Sequence, residues 1–418
     1  MRAASALASV VPPRTRGRSM SEAPWLTIVG LGEDGPEGLP AASLAALEAA
    51  EIVMGPPRHL ALLPGSGAER IAWPVPFAEG IARLIALRGR RVAVLASGDP
   101  FWFGAGAVLA RRLAPGEWRA LPGVSSFSLA AARLGWALER TLCFGLHAAP
   151  LARLRPHLAP GQRAIVLLRD GAAVRTLADY LCAEGFGASG MTVMEALGGP
   201  RERLTMARAD ALPARAFGHP VCVAVEVEGA GRVLPLVSGR EDDWFASDGQ
   251  MTRRPVRALT LSALAPRPGE HLWDIGGGSG SIAIEWLLSH GSLSATSIEP
   301  RPDRAARIAQ NAARLGVDRL TVVTGAAPDA LADLAPPEAV FVGGGLDAAL
   351  LDWLARHLPG TTRIVANAVT LETEALLLEA RARMGGDLLR IDLAEAAPLG
   401  SRTGWTPARP IVQWRLAP

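Results

Sequence analysis

The residues Asp274-Ile-Gly-Gly-Gly-Ser-Gly280 stand between the apolar run HLWDIG and the amphipathic segment SIAIEW. A glycine-rich connection from a buried strand to a helix lets the backbone approach a ligand closely, because glycine has no side chain. Glu299 ends the next apolar run, 23 residues after Gly276. This separation is close to the roughly 20 residues expected for an acid that binds ribose hydroxyls. The loop and the acid together predict a nucleoside-binding site.

Two ligands are compatible with such a loop. A nicotinamide dinucleotide requires the pattern G-x-G-x-x-G/A, which Gly278, Gly280 and Ala283 satisfy. S-Adenosylmethionine carries an ammonium group and no phosphate, so Asp274 can orient its methionine portion, directly or through water. The same carboxylate would repel a pyrophosphate, and Asp274 therefore favours S-adenosylmethionine. A glycine turn that binds no ligand is the remaining interpretation.

Short β-rich runs alternate with longer amphipathic segments along both halves of the chain, which predicts an α/β protein built from βα units. In the C-terminal half, five candidate strands predict a Rossmann-like sheet, namely EHLWDIG, SLSATSIEP, RLTVVTG, AVFVGGG and TRIVANAV. A stretch of mixed polarity, GAGRVLPLVSGREDDWFASDGQ, separates the halves. We predict a disordered extension at 1–20, a first domain at 21–228, a linker at 229–247 and a second domain at 248–418.

The composition excludes several chemistries. All 43 basic residues among the 418 are arginine, so the chain has no lysine for a Schiff base with pyridoxal phosphate or for a P-loop. These residues are interleaved with 40 acidic ones, unlike the basic stripe that binds nucleic acid. The three cysteines lack the spacing of a zinc or iron–sulfur site, and no apolar run approaches the roughly 20 residues of a membrane-spanning helix. We therefore expect a cytoplasmic protein with no metal, no nucleic-acid partner and no membrane partner.

The C-terminal half resembles the class I S-adenosylmethionine-dependent methyltransferases, and within them the cobalamin-biosynthesis enzymes that methylate and decarboxylate precorrin-6 at carbon 15. The resemblance is carried by DGQMTRRPVRALTLSAL, DIGGGSGSIAIEW, SIEP, GAAPDAL, FVGGG and IVANAVTLETE. Amino-group methyltransferases have an Asn/Asp-Pro-Pro-aromatic motif where this chain has FVGGG, so an amine on nucleic acid is a poor substrate candidate. The resemblance implies that the cofactor site is lined by Thr252, Gly276, Gly277, Gly278, Ser279, Gly280, Glu299 and Ala327.

Three loops stand out in the N-terminal half, GLGEDG at 30–35, SGDP at 97–100 and PGVSS at 122–126. Each loop by itself is ordinary turn chemistry. Their order and spacing, with VMGPPRHL and LPGVSSFSLAAARLGW, resemble the tetrapyrrole (corrin/porphyrin) methylases, in the branch that methylates precorrin-6 at carbon 5. The resemblance implies two α/β subdomains that hold S-adenosylmethionine in the cleft between them. The implied cofactor contacts are Gly98, Asp99, Trp102, Ser125 and Ser126.

Three further residues of the N-terminal half have open roles. Glu33 stands where many tetrapyrrole methylases have proline, so the resemblance assigns no contact to the 30–35 loop. His59 and His147 are candidates for acid or base chemistry on the substrate. Since a lone histidine is more often a packing or surface residue, both interpretations stay open.

The two resemblances stand in the order of a fused enzyme that methylates precorrin-6 at carbons 5 and 15 and removes carbon dioxide from the ring C acetate. They imply two S-adenosylmethionine sites, one per domain, a tetrapyrrole substrate and a homo-oligomer. Arginine binds carboxylates bidentately, so Arg253, Arg254 and Arg257 are candidate substrate contacts or, alternatively, a solvated helix face. An NAD-dependent reductase and a non-catalytic tetrapyrrole-binding protein are the alternative functions.

Overall fold

The computed structural model describes residues 24–65 and 67–417, so the extension predicted at 1–20 lies outside the described residues. The first part of the chain forms a parallel five-stranded sheet with the strand order β3-β2-β4-β1-β5. Its strands and the helices that follow them are β1 (Leu26–Leu31), α1 (Ala41–Glu48), β2 (Ile52–Gly55), α2 (Pro57–Leu62), β3 (Glu69–Ala72), α3 (Phe77–Ile85), β4 (Val92–Ser97), α4 (Ala105–Ala110), β5 (Trp118–Leu121) and α5 (Ser126–Leu134).

A second five-stranded sheet follows, with the order β6-β7-β10-β8-β9. It consists of β6 (Leu142–Gly145), β7 (Arg163–Leu168), α6 (Ala172–Ala183), β8 (Gly190–Glu195), β9 (Arg203–Arg208) and β10 (Val221–Glu226). Only β6 and β7 pair in parallel, and the remaining pairs are antiparallel. Helix α5 packs on this sheet through Phe127 and Ala130, so it joins the two layers. The prediction of two α/β subdomains is thereby confirmed.

The C-terminal part forms a seven-stranded sheet with the order β13-β12-β11-β14-β15-β19-β16. The five strands predicted from the sequence are β11 to β15, all parallel, which confirms the Rossmann-like sheet. The antiparallel strands β19 and β16 extend it, and β17 and β18 form a separate hairpin. The elements are α7 (Arg254–Leu264), β11 (His271–Ile275), α8 (Ser281–Ser289), β12 (Ser294–Glu299), α9 (Pro302–Arg314), β13 (Thr321–Thr324), β14 (Ala339–Val342), α10 (Ala348–His357), β15 (Arg363–Ala368), α11 (Leu371–Met384), β16 (Asp387–Ile391), β17 (Ala394–Leu399), β18 (Arg402–Pro407) and β19 (Ile411–Leu416).

From β11 the chain first adds β12 and β13 on one side of the sheet. It then crosses over and adds β14 and β15 on the other side of β11. A crevice forms outside the carboxyl ends of parallel strands at such a switch point, and ligands bind there. The glycine loop follows β11 and therefore stands at the crevice. No helix within 24–65 and 67–417 is long and apolar enough to cross a membrane.

The segment at 229–247, for which the sequence predicts a linker, packs against the C-terminal core over much of its length. Leu234, Trp244 and Phe245 are each less than 5% exposed and lie among the residues of α8 and α9. The three buried apolar side chains are too few to produce a periodic pattern, which is why the sequence resembles a linker. The domain boundaries stay predictions, but the later part of this segment is structurally part of the C-terminal half.

Candidate functional site

The three N-terminal loops meet at the carboxyl ends of β1, β4 and β5. The backbone N–H of Gly123 donates to the carbonyl oxygen of Gly98 at 3.0 Å. A Cβ atom at Gly30 would lie 2.0 Å from the same carbonyl oxygen, so the loops touch backbone to backbone. Glycine is required here because any side chain would force the loops apart.

These loops line a cavity of about 480 Å³ between the two subdomains. All five predicted cofactor contacts of this half line it, namely Gly98, Asp99, Trp102, Ser125 and Ser126. The Ser125 hydroxyl accepts a hydrogen bond from the backbone N–H of Ser128 at 3.0 Å and so caps α5. The Asp99 carboxylate accepts from the backbone N–H of Phe101 at 2.8 Å. The cavity has the size of a small-molecule site.

Glu33 lies in the cavity wall and joins the two subdomains. It is 7% exposed and forms ion pairs with Arg58 and, at 3.2 Å, with Arg201. Arg201 belongs to the turn between β8 and β9, whereas Glu33 follows β1. The residue that departs from the usual proline therefore ties the first sheet to the second across the cleft.

Both candidate histidines line the cavity, in different surroundings. His147 is exposed, whereas His59 is 1% exposed, and its Nε2 lies 2.8 Å from Nη2 of Arg58 and 3.1 Å from Oγ of Ser97. Burial, and then the charge of Arg58, lower the pKa of His59 to about 3. A ring with this pKa is neutral at physiological pH and is a weak base.

The C-terminal loop and its acid meet as the sequence predicts. Gly276 has φ of +74°, and a Cβ atom there would lie 2.6 Å from the carbonyl oxygen of Gly344. The backbone N–H of Gly278 donates to Oε2 of Glu299 at 2.9 Å. Glu299 is 2% exposed and ends β12, beside β11 in the sheet. The carboxylate is thus held at the loop where a ribose would bind.

Asp274 is fully enclosed by protein. Its carboxylate accepts from the Ser297 hydroxyl at 3.3 Å and from the backbone N–H of Ala283 in α8. Burial raises the pKa of Asp274 to about 7, and the nearby charge of Glu299 adds to the effect. In this arrangement the carboxylate braces the loop against α8. In the glycine loop, the buried hydroxyl of Ser279 has no hydrogen-bond partner among the described residues.

Thr252 and Ala327 lie on segments beside the loop. The carbonyl oxygen of Gln250, two residues before Thr252, would be 3.5 Å from a Cβ atom on Gly278, so this segment passes next to the loop. Ala327 is half-buried and follows β13, whose carboxyl end is at the same edge of the sheet as that of β12. Both residues are therefore placed at the crevice side of the sheet.

The three candidate arginines of the second domain differ in their exposure to solvent. Arg253 and Arg254 are exposed and pair with Asp242 and Glu241. Arg257 is 0% exposed, and its Nε donates to Glu285 at 2.7 Å. This is a correction to the sequence prediction: Arg257 lies on the buried face of α7, with Thr260 and Leu261 three and four residues further on, so it is not available to a substrate.

Sequence reasoning missed two arginines at these sites. Arg304 of α9 binds the carboxylate of Asp248 at 2.7 Å and the side-chain oxygen of Gln250 at 2.7 Å, and thereby holds the segment that carries Thr252. Arg58 lines the N-terminal cavity. For Arg58, the available signal was its position three residues after β2 and next to His59. Nothing local distinguishes Arg304 from other helical arginines.

Both halves of the chain match known families. Residues 25–213 match the tetrapyrrole (corrin/porphyrin) methylases, and residues 243–417 match the precorrin methyltransferase domain. The chain is 51% identical over 397 residues to a precorrin-6Y C(5,15)-methyltransferase (decarboxylating) of Sinorhizobium sp, with 94% of this chain and 96% of the relative covered. It is 41% identical to the protein of that name from Mycobacterium tuberculosis (strain CDC 1551 / Oshkosh), with 94% and 99% covered. The crystal structure of the C-terminal domain of precorrin-6Y C5,15-methyltransferase from Rhodobacter capsulatus is 56% identical, covers 44% of this chain and 98% of that domain, and has a TM-score of 0.42.

Proposed function

The chain belongs to the family of the precorrin-6Y C(5,15)-methyltransferases (decarboxylating), and from this premise we propose that it methylates a precorrin-6 at carbons 5 and 15 and removes carbon dioxide from the ring C acetate, in cobalamin biosynthesis. The observation that carries the proposal is the match along nearly the whole length of both proteins, which includes both domains. No observation favours an NAD-dependent reductase or a non-catalytic tetrapyrrole-binding protein. We further propose that it acts in the cytoplasm as a homo-oligomer, and native mass spectrometry tests the oligomer.

We propose one S-adenosylmethionine site in each domain. The residues fit such a ligand, because the N-terminal cavity has room for a nucleoside and four of the five residues of the C-terminal loop beside Glu299 are glycine. The buried hydroxyl of Ser279, without a partner among the described residues, adds a polar group that a ligand can satisfy. When bound, S-adenosylmethionine supplies a methyl group on a positively charged sulfur.

The chain's own groups serve mainly to bind and orient. Glu299 accepts two backbone N–H groups, from Gly278 at 2.9 Å and Arg301 at 3.1 Å, which fix its carboxylate while free lone pairs remain for ribose hydroxyls. The Asp99 carboxylate is held in the same way by the N–H of Phe101, and we propose that it contacts the bound cofactor. Such fixed geometry supplies much of the barrier reduction when an electron-rich carbon must be aligned with a methyl group.

We propose that Arg253 and Arg254 bind carboxylates of the tetrapyrrole. Both are exposed at the start of α7, immediately after Thr252. Their partner Asp242 is half-buried and Glu241 is exposed, so a substrate carboxylate can compete for the guanidinium groups. Arg253→Ala should raise the KM for the precorrin and leave binding of S-adenosylhomocysteine unchanged.

Decarboxylation is assigned to the C-terminal domain together with methylation at carbon 15. The acetate that is lost sits on ring C next to carbon 15, so one site can hold both reacting positions, while carbon 5 lies across the macrocycle. A site that grips ring C through its other carboxylates needs only to align the breaking bond with the ring system. Carbon NMR of the products tests the assignment. Release of carbon dioxide by the N-terminal domain would overturn it.

The overall reaction is tested by mass spectrometry after anaerobic incubation with a precorrin-6 substrate and S-adenosylmethionine. Two added methyl groups with the loss of one carbon dioxide are expected. An unchanged substrate mass, with folded protein and intact cofactor, would overturn the proposed function.

The number of cofactor sites is tested by calorimetry with S-adenosylhomocysteine. The full chain should bind two molecules, and Gly278→Arg should bind one, because the new side chain would fill the space where backbone meets ligand. Gly291→Arg is the matched control, since Gly291 is exposed and a Cβ atom there meets nothing within 4 Å. A stoichiometry of one for the unaltered chain would contradict the proposal.

A further inference from the structure

The cavity of the N-terminal domain contains a polar cluster whose role is not explained by cofactor binding. It consists of Arg58 and His59 in the first turn of α2 and Ser97 at the end of β4. The side chains contact one another: Nη2 of Arg58 lies 2.8 Å from Nε2 of His59 and 3.2 Å from Oγ of Ser97. All three residues line the cavity.

The contact with Arg58 fixes the proton of the histidine. A guanidinium group can only donate hydrogen bonds, so Nε2 of His59 must accept and the ring proton must be on Nδ1. His59 is 1% exposed, and its Nδ1 has no hydrogen-bond partner among the described residues. A buried N–H without an acceptor is costly and uncommon, so this donor is suited to an acceptor that comes from a ligand.

The charges around the cluster favour an anion as that ligand. Glu33 neutralises only part of the positive charge, because both Arg58 and Arg201 pair with this single carboxylate. The positive charge of Arg58 also contributes, after burial, to the lowered pKa of His219 on the facing subdomain. Asp99, the other carboxylate that lines the cavity, already accepts the backbone N–H of Phe101. The cavity wall thus carries more cationic groups and neutral donors than carboxylates.

We propose that Arg58, His59 and Ser97 form a subsite that binds one carboxylate of the tetrapyrrole substrate in the N-terminal cavity. The inference rests on the function proposed above, which supplies a substrate with many carboxylates. The sheet order places β2, and so α2, on the side of β4 away from β5, whose loop carries the candidate cofactor contacts Ser125 and Ser126. Ser97 ends β4 directly before the candidate contacts Gly98 and Asp99, so the subsite adjoins the cofactor site. The methionine carboxylate of the cofactor has the same chemistry, and the experiment separates the two sources.

The experiment compares two histidine replacements in the full-length protein. His59→Gln places an amide near Nε2, where it keeps an acceptor for Arg58 and loses the donor at Nδ1. His59→Asn places its amide near Nδ1 and can keep that donor. We expect His59→Gln to raise the KM for the precorrin in carbon 5 methylation by roughly 10- to 100-fold, as for a lost hydrogen bond to a charged group, with a smaller rise for His59→Asn.

Calorimetry with S-adenosylhomocysteine provides the second measurement. Both variants should bind it with the affinity of the unaltered protein, which also shows that they fold. His157→Gln is the control, because this exposed histidine packs against Phe144 outside the cavity, with the ring planes tilted by 56°. It should change neither the KM nor the binding of S-adenosylhomocysteine.

Uroporphyrin, a stable tetrapyrrole with many carboxylates, gives a readout that does not depend on turnover. Its binding, followed by fluorescence, should weaken in His59→Gln by a similar factor. The subsite would be overturned if His59→Gln and the unaltered protein had the same KM and the same affinity for uroporphyrin. It would also be overturned if His59→Gln weakened the binding of S-adenosylhomocysteine and left the KM unchanged, because that result assigns the cluster to the cofactor. If the unaltered protein leaves precorrin unchanged, the proposed function fails instead, and uroporphyrin binding still tests the subsite.

Discussion

Replacing Glu285 should destabilise the C-terminal domain more than the removal of any exposed ion pair would. Glu285 is 0% exposed and lies in α8 beneath the segment that joins the domains. Its carboxylate accepts from Nε of Arg257 at 2.7 Å and from the backbone N–H groups of Gly239 at 2.6 Å and Arg240 at 3.0 Å. The side chain of Arg240 approaches it at 3.5 Å. One buried carboxylate thus faces the positive charges of two buried guanidinium groups.

The expected loss of unfolding free energy follows from the charges and backbone N–H groups that stay buried after Glu285 is replaced. Removing one partner of a buried ion pair costs about 3–5 kcal/mol, because the other charge stays buried. In Glu285→Ala, Asp242 still contacts Arg257 at 3.0 Å, which reduces this cost, while two backbone N–H groups lose their acceptor, which adds to it. We expect about 4 kcal/mol of lost unfolding free energy. For a domain of 150–250 residues this corresponds to a decrease in Tm of roughly 8–16 °C.

Scanning calorimetry of the full-length chain measures this decrease in the C-terminal transition. Glu285→Gln should lie between the unaltered protein and Glu285→Ala, because its amide oxygen can still accept. Arg383→Ala is the control, since it breaks an exposed pair with Asp352 and should leave the Tm unchanged. A Tm for Glu285→Ala within about 3 °C of the unaltered protein would refute the reasoning that the buried charges depend on this carboxylate.

Three further predictions concern the same domain. Gly276→Val should abolish the C-terminal cofactor site and leave the other intact, because its side chain would meet the Gly344 carbonyl oxygen; two sites by calorimetry would contradict this. Burial raises the pKa of Asp274 to about 7, so the folded protein binds this proton more tightly than the unfolded chain does. The unfolding free energy should therefore fall as the pH rises from about 4 to 7. Asp274→Asn should flatten that dependence in urea titrations, and equal slopes would show that Asp274 is already ionised at pH 5. A fragment of 229–418 should melt well above one of 248–418, which lacks buried aromatic side chains of the joining segment; equal Tm values would restore the linker interpretation.

Local patterns were sufficient for the architecture and for the position of the glycine loop. The loop Gly276–Gly280 and Glu299 could be paired from the sequence because a strand, a turn and a helix follow one another in a fixed order in a βα unit. The candidate loops of the N-terminal half were found in the same way, and all three line or adjoin one cavity. Strands β16 and β19 were missed, because they complete the sheet by antiparallel pairing over long separations in the sequence. The hairpin of β17 and β18, which lies outside that sheet, was missed as well.

The sequence by itself determined which residue types were available: arginine without lysine, glycines at strand ends, and acids at the spacing of a nucleoside site. Only the tertiary structure decided which partners they have. Nothing in the sequence distinguishes Arg257 from a surface arginine, but in the folded chain it is buried and paired with Glu285. Nothing in the sequence distinguishes His59 from other histidines, but in the folded chain burial and Arg58 determine where its proton lies. The physical reason is that desolvation and pairing depend on groups brought together from distant parts of the chain, and no local pattern records those distances.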